Sequence, residues 1–255
     1  MPIEIRQFPC LSDNYGYLVR DRATGEVAAI DTPDAEAINA ALAREGWRLT
    51  HILNTHWHPD HAGGNLALKD KWGCRIIGPR GEAAKIPGVD ALVGEGDMVS
   101  LGASAARVHD TPGHTLGHIV YHFADDHAAF VGDTIFALGC GRLFEGTPAQ
   151  MWESLSKIAA MPDDTELYCA HEYTQANARF ALSVDAGNDA LAARAKTIDA
   201  LRARGAPTVP STVAMERATN PFLRARDPSL QAALGMSGAD PVAVFAEVRK
   251  RKDKF

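Results

Sequence analysis

The chain has 255 residues, enough for one large domain or a larger domain with a smaller appendage. Its 46% hydrophobic and 23% charged residues are those of an ordinary soluble globule. The formal net charge of −6 argues against a general nucleic-acid binder while leaving room for a local basic patch. Nothing resembles a membrane span or the apolar core of a signal peptide, and Met1 to Arg6 alternates like a strand. Cys10, Cys74, Cys140 and Cys169 are scattered without a CxxC pair, which reads as reduced thiols in a cytoplasmic protein.

In chain order, Ile3 to Phe8, Tyr15 to Arg20 and Glu26 to Asp31 read as strands separated by turn residues. Asp34 to Glu45 reads as a helix, with Pro33 near its start and Gly46 at its end. Thr50 to Asn54 is a short strand, Gly64 to Lys71 a helix and Arg75 to Gly78 a strand, followed by a Gly- and Pro-rich loop over 79–96. Strands then recur at Asp97 to Leu101, Ala105 to Asp110, Ile119 to Ala124 and Ala128 to Val131. Thr147-Pro148 caps a helix from Ala149 to Ala160, and Glu166 to Ala170 is a last strand. Beyond it the pattern is helical, at Thr174 to Val184, Asp189 to Arg204 and Pro241 to Lys254. An α+β domain over residues 1–172 followed by a helical domain over 173–255 is expected.

The segment Thr55-His56-Trp57-His58-Pro59-Asp60-His61-Ala62-Gly63-Gly64-Asn65 places His56, His58, Asp60 and His61 at the end of an apolar strand. An extended backbone projects His56 and His58 to one side, and Pro59 then turns the chain. Imidazole and carboxylate without Cys suit zinc, iron or manganese. Four donors exceed what one tetrahedral ion with an open position needs, which points to two metals. The bland alternative, a histidine-rich surface loop, leaves this spacing unexplained. Three further donors follow short apolar runs: His114 after Thr111-Pro112-Gly113, Asp133 after Gly132, and His171 after Cys169-Ala170. Singly, each reads as well as a hydrogen-bonded histidine or a turn aspartate; the unfinished first cluster is what recruits them. Asp133, with two oxygens, is the candidate bridge. His51, His109, His118, His122 and His127 read as non-ligands, with His118 a buried hydrogen-bonded histidine or a support for a ligand.

The pattern His-x-His-x-Asp-His, then a distant His, Asp and His, resembles the metallo-β-lactamase superfamily. That resemblance implies an αββα sandwich, with His56, His58 and His114 on one metal and Asp60, His61 and His171 on the other. Asp133 and a hydroxide would bridge them, making Asp60 and Asp133 the catalytic pair. Within the superfamily the chain resembles the glyoxalase II, or hydroxyacylglutathione hydrolase, family over essentially its whole length. The segments Gly139 to Thr147, Cys169 to Thr174, Thr219 to Arg224 and Arg249 to Phe255 carry that likeness. It implies two divalent metal ions, zinc first, and hydrolysis of S-2-hydroxyacyl-glutathione thioesters in methylglyoxal detoxification. Glutathione would be held by Arg142, Leu143, Phe144, Tyr173, Arg249 and Lys252. Arg and Lys are suitable charge-assisted donors for its two carboxylates. Taken alone, the basic run Arg249-Lys250-Arg251-Lys252 reads as a solvated helix end that complements the macrodipole. Some members carry Lys and Tyr where this chain has Arg142 and Phe144, so a hydroxyl is missing from that loop. The expected protein is a monomer acting on a small glutathione thioester, without nucleic-acid or membrane partners. A rival in the same superfamily, a glutathione persulfide dioxygenase, uses a single iron and generally lacks the helical tail. A metal-storing scaffold ranks last, because it leaves the basic pocket without a purpose.

Overall fold

The structure, a computed structural model, describes residues 2–255. It comprises two compact units, the first running to Asp110 and resuming over Leu116–Gly132, the second made of Thr111–Thr115 and Asp133–Phe255. Among the described residues no helix is long and apolar enough to cross a membrane.

In the first unit β1 (Ile3–Cys10), β2 (Asn14–Asp21), β3 (Val27–Ile30), β4 (His51–Leu53), β5 (Arg75–Pro79) and β6 (Ala91–Val93) form one sheet in that order. The β1–β2 and β2–β3 pairs are antiparallel, whereas β3 to β6 run parallel. Parallel neighbours need a crossover. α1 (Ala35–Glu45) supplies the first, and α2 (Pro59–Ala62) with α3 (Asn65–Trp72) the second. α1 starts where the Asp34 carboxylate accepts from Glu36 N and Ala37 N, and stops at Gly46, whose φ of 68° lies in the left-handed region. Ile38 and Leu42 of α1 and Leu68 of α3 then pack with Leu18, Val27, Ala29, Ile52 and Ile76 of the sheet. Alternation sends the neighbouring side chains to the other face.

That other face meets a second sheet, in which β10 (Ala128–Gly132), β9 (Ile119–Phe123), β8 (Ser104–Asp110) and β7 (Met98–Leu101) lie side by side, antiparallel. Tyr17 packs edge-on against Phe130, with ring centroids 5.6 Å apart. The fully buried Tyr121 reaches across to donate from its hydroxyl to Asn54 O at 2.9 Å, just beyond the carboxyl end of β4. Asn54 in turn donates to His61 O at 2.9 Å, so the inter-sheet bond continues into the histidine segment.

The second unit opens with a small hairpin, β11 (Ile135–Phe136) and β12 (Gly139–Cys140). α4 (Pro148–Ala159) begins at a reciprocal capping box between Thr147 and Gln150. β13 (Glu166–Cys169) is followed by α5 (Thr174–Val184) and α6 (Asp189–Ala203), then by β14 (Ser211–Thr212), which pairs antiparallel with β13. α7 (Val213–Thr219), α8 (Pro228–Leu234) and α9 (Pro241–Lys254) complete the chain. An aromatic chain knits these helices: Phe222 lies 6.0 Å from Phe180 of α5 and 5.9 Å from Phe245 of α9.

The α+β layout agrees with the sequence expectation, with several local differences, the unexpected short strands β11, β12 and β14 among them. The segment read as loop over 79–96 contains a 3-10 turn at Arg80–Lys85 and the edge strand β6. α7 and α8 were not expected, because seven residues are too few for a helical period to stand out. The turn expected after Pro59 is a short helix, α2. Replacing Tyr121 by Phe leaves the Asn54 carbonyl without this donor, and is expected to lower unfolding free energy by about 1–2 kcal/mol in a urea titration with an unchanged slope. Unaltered stability would mean that the inter-sheet bond does no structural work.

Candidate metal centre and substrate pocket

β4 runs into His56, which is fully buried, and the ring nitrogens His56 Nε2 and His58 Nδ1 face each other at 3.1 Å. Pro59 starts α2, and this turn brings His61 Nε2 to 3.5 Å from Asp60 Oδ2. The four donors thus form two pairs, each with converging ligand atoms. Asn14 steadies the outer pair by donating from Nδ2 to Asp60 Oδ2 at 3.1 Å.

Two buried carboxylates that sequence reasoning passed over hold this segment. Asp31 follows β3, and its oxygens accept from Thr55 N at 2.7 Å and Thr55 Oγ1 at 2.8 Å. Its Oδ2 also lies 2.8 Å from His61 Nδ1. One ligand atom each from Asp31, His56 and His61 lie within 4.8 Å of one another. Asp31 has a φ of 56°, a costly conformation for a non-glycine residue and one kept where the surroundings over-determine it. Glu82 accepts from Trp57 N at 2.8 Å and Gly117 N at 3.0 Å. His118 is buried and its ring stacks on His56 with centroids 4.8 Å apart, so it backs the His56 ring by packing.

The remaining donors belong to the second unit. A Cβ at Gly113 would meet the Met151 side chain of α4 at 2.8 Å, and one at Gly141 would sit 2.0 Å from Asp133 O. Only glycines allow the chain to pass there, which brings His114 and Asp133 together. His114 Nδ1 lies 2.9 Å from Arg142 O, while its Nε2 is 3.3 Å from Asp133 Oδ2. His171 Nε2 is 3.4 Å from the other oxygen, Asp133 Oδ1. One carboxylate with an imidazole at each oxygen is the chemistry of a bridging ligand. Imidazole nitrogens and carboxylate oxygens converging in this way fit divalent metal ions.

Beside Asp133 the second unit has a cavity of ≈ 410 Å³ whose walls include Arg142, Phe144, Tyr173, Arg249 and Lys252. Leu143, expected among the contacts, is not one of its lining residues. Tyr173 stacks on His171 with ring planes 2° apart, and Phe144 packs against His114 at 5.2 Å. The basic run of α9 is divided by the helical period. Arg249 and Lys252 face the cavity, whereas Arg251 pairs with Glu247 at 2.9 Å. Arg249 is 5% exposed, donates to Cys140 O at 3.0 Å and pairs with Asp253 at 2.7 Å. Burial, and then the guanidinium groups of Arg249, Arg179 and Arg142, lower the Lys252 ammonium to about 8.

Paired sheets with imidazole and carboxylate donors at strand ends are those of the metallo-β-lactamase superfamily, whose family model matches residues 15–171. A second model, hydroxyacylglutathione hydrolase C-terminus, matches residues 172–255. The chain is 57% identical to a hydroxyacylglutathione hydrolase of Maricaulis maris, over 98% of this chain and 98% of that protein. It is 56% identical to the protein of that name from Rhodopseudomonas palustris, over 100% of each. The chain belongs to the hydroxyacylglutathione hydrolase family. Among solved structures, ETHE1 from Myxococcus xanthus is similar with a TM-score of 0.67 and 25% identity, over 99% of this chain and 100% of that one.

Asp31→Asn keeps the size of the side chain but removes the charge that orients His61. It is expected to weaken metal binding about 10- to 100-fold, read by competition with a chelator. Wild-type affinity would show that Asp31 only closes a turn.

Proposed function

We propose that this chain hydrolyses S-2-hydroxyacyl-glutathione thioesters, S-D-lactoylglutathione being the representative substrate, to glutathione and a 2-hydroxy acid. The observation that carries the reading is the joint presence in one unit of a carboxylate flanked by two imidazoles and a cationic cavity beside it. His56, His58 and His114 are assigned to one ion, Asp60, His61 and His171 to a second, and Asp133 to both. Zinc is the first choice, and His and Asp donors also accept iron or manganese. When bound, such ions acidify a water and polarise the thioester carbonyl. Asp60 and Asp133 are assigned as the catalytic carboxylates: Asp60 would orient the attacking water besides serving as a ligand, and Asp133 would be the ligand shared by the two ions.

The chain's own residues account for the rest. Arg142 and Lys252 attract the glutathione carboxylates, and Arg249 adds a fixed positive charge. Phe144, 62% exposed, offers an apolar face where a hydroxyl would bind peptide. The leaving thiolate has a conjugate acid of pKa about 8.5 and departs without a strong general acid. Cys140 lines the cavity but is no nucleophile, since burial pushes its thiol up to about 11. Residues 1–172 act as the catalytic part and 173–255 as the substrate-binding part, a division supported by the spans of the two family matches. The reading includes a cytoplasmic monomer, its reducing compartment supported by four buried free cysteines.

The deciding experiment is turnover of S-D-lactoylglutathione by purified protein, with metals counted on the same sample. Turnover with about two metals per chain is expected. One iron per chain, with oxygen uptake on glutathione persulfide and no thioester turnover, would move the assignment to the dioxygenase. Asp133→Ala is expected to lose metal and activity together, and wild-type metal content in that variant would overturn the bridging role. KM is expected to rise as pH passes upward through about 8, because Lys252 then loses the proton that binds a carboxylate. A Lys252→Arg variant should lack that rise, and an identical pH profile in both proteins would remove Lys252 from binding.

A further inference from the structure

The hairpin β11–β12 begins two residues after Asp133 and ends two residues before Arg142, so it joins the bridging carboxylate to a cation of the cavity. Its own residues Phe136 and Cys140 line that cavity. Its tip is Ala137-Leu138, and Leu138 carries a φ of 60° with no glycine to relieve it. Two residues per strand give too few ladder bonds to hold such a turn.

Side chains from the helical segments hold it instead. Asn177 of α5 donates to Ala137 O at 3.1 Å. Asn220, just after α7, donates to Phe136 O at 3.2 Å and Gly139 O at 3.0 Å. Glu216 of α7 accepts from Leu138 N at 2.9 Å. Glu216 and Asn220 are fully buried, and Glu216 is ion-paired with Arg194 of α6. Arg194 also donates to Thr219 Oγ1 at 2.6 Å. A buried ion pair is a poor source of stability compared with apolar packing, and its better-attested use is to fix a register. Here the register is that of a strained turn between a ligand and a binding residue.

We infer that Glu216 and Asn220, with Arg194 as counter-charge, are positioning residues that set the glutathione-facing wall formed by Phe136 and Cys140. Phe136 transmits the setting, because its ring stands edge-on to Tyr173 at 5.3 Å. None of the three positioning residues lines the cavity. They therefore govern substrate binding without touching substrate or metal. This inference rests on the hydrolase reading.

The test uses Asn220→Ala and Glu216→Gln in the full, metal-loaded chain, with Asn188→Ala, which removes the N-cap of α6, as a control for lost stability. In Asn220→Ala, KM for S-D-lactoylglutathione is expected to rise about tenfold, with kcat and metal content within about twofold of wild type. Glu216→Gln keeps an oxygen that can accept from Leu138 N, so its KM is expected to rise less, about threefold. KM within about twofold of wild type in Asn220→Ala, or an equal rise in Asn188→Ala at a matched loss of Tm, would overturn the inference. If Asn220→Ala does not fold, Glu216→Gln decides, and an unchanged KM there overturns it. An inactive wild type would overturn the hydrolase reading itself, whereas an active wild type with unmoved variants overturns only the positioning role.

Discussion

An imidazole presents one nitrogen to an ion reliably only while the other is held, and in the first unit a single carboxylate does that holding. Asp31 lies 2.8 Å from His61 Nδ1 and accepts two hydrogen bonds from Thr55, whose Oγ1 is 3.0 Å from His56 Nδ1. It orients His61 directly and His56 through a hydroxyl, fixing the ring nitrogen that each turns toward its partner donor. Everything upstream serves that placement. The parallel β3–β4 register, with Ile30 opposite Leu53, sets Asp31 beside the start of the histidine segment. The crossover α1 makes that register possible, and the left-handed backbone at Asp31 turns the carboxylate back over it.

The second unit solves the same problem with backbone. His114 Nδ1 is held by the Arg142 carbonyl, so the ring that faces Asp133 is fixed by the loop that presents a cation to the cavity. Glycines at 113 and 141 permit the close approach, since a Cβ at either would collide with Met151 or with Asp133 O. Ligand geometry and pocket geometry are therefore not independent here. The segment from Asp133 to Arg142 carries both, which explains why a hairpin of two-residue strands is gripped by Asn177, Glu216, Asn220 and Arg249.

The donors adjacent in the chain were legible, because His56, His58, Asp60 and His61 share one short segment and His114, Asp133 and His171 each follow an apolar run. Long elements were legible for the same local reason, as α1 shows with Asp34 at one end and Gly46 at the other. What stayed hidden depends on contacts between distant residues. Asp31 is an unremarked strand end until β3 pairs with β4, and Glu82 is a loop residue until Trp57 N and Gly117 N meet it. The β11–β12 turn carries no Gly or Asn-Gly signal, because Leu138 takes a left-handed conformation imposed from outside the hairpin. The basic run of α9 was visible, but its division into a cavity face and an outer face follows only from helical phase.

That division places a local cationic cavity on a chain whose net charge is −6. Attraction is governed by the local field, and the cavity gathers Arg142, Arg249 and Lys252 within low-dielectric walls. The three cations do not act alike. Arg249 is committed to Asp253 and to Cys140 O, with its guanidinium 5.1 Å from the Phe222 ring, so it contributes a permanent charge more than a mobile donor. Lys252 is half-buried among those guanidinium groups and has been lowered to about 8, so its charge is the one that ambient pH can remove. A cluster of like charges is costly while empty and relaxed when carboxylates arrive, because each bound anion favours the protonated lysine.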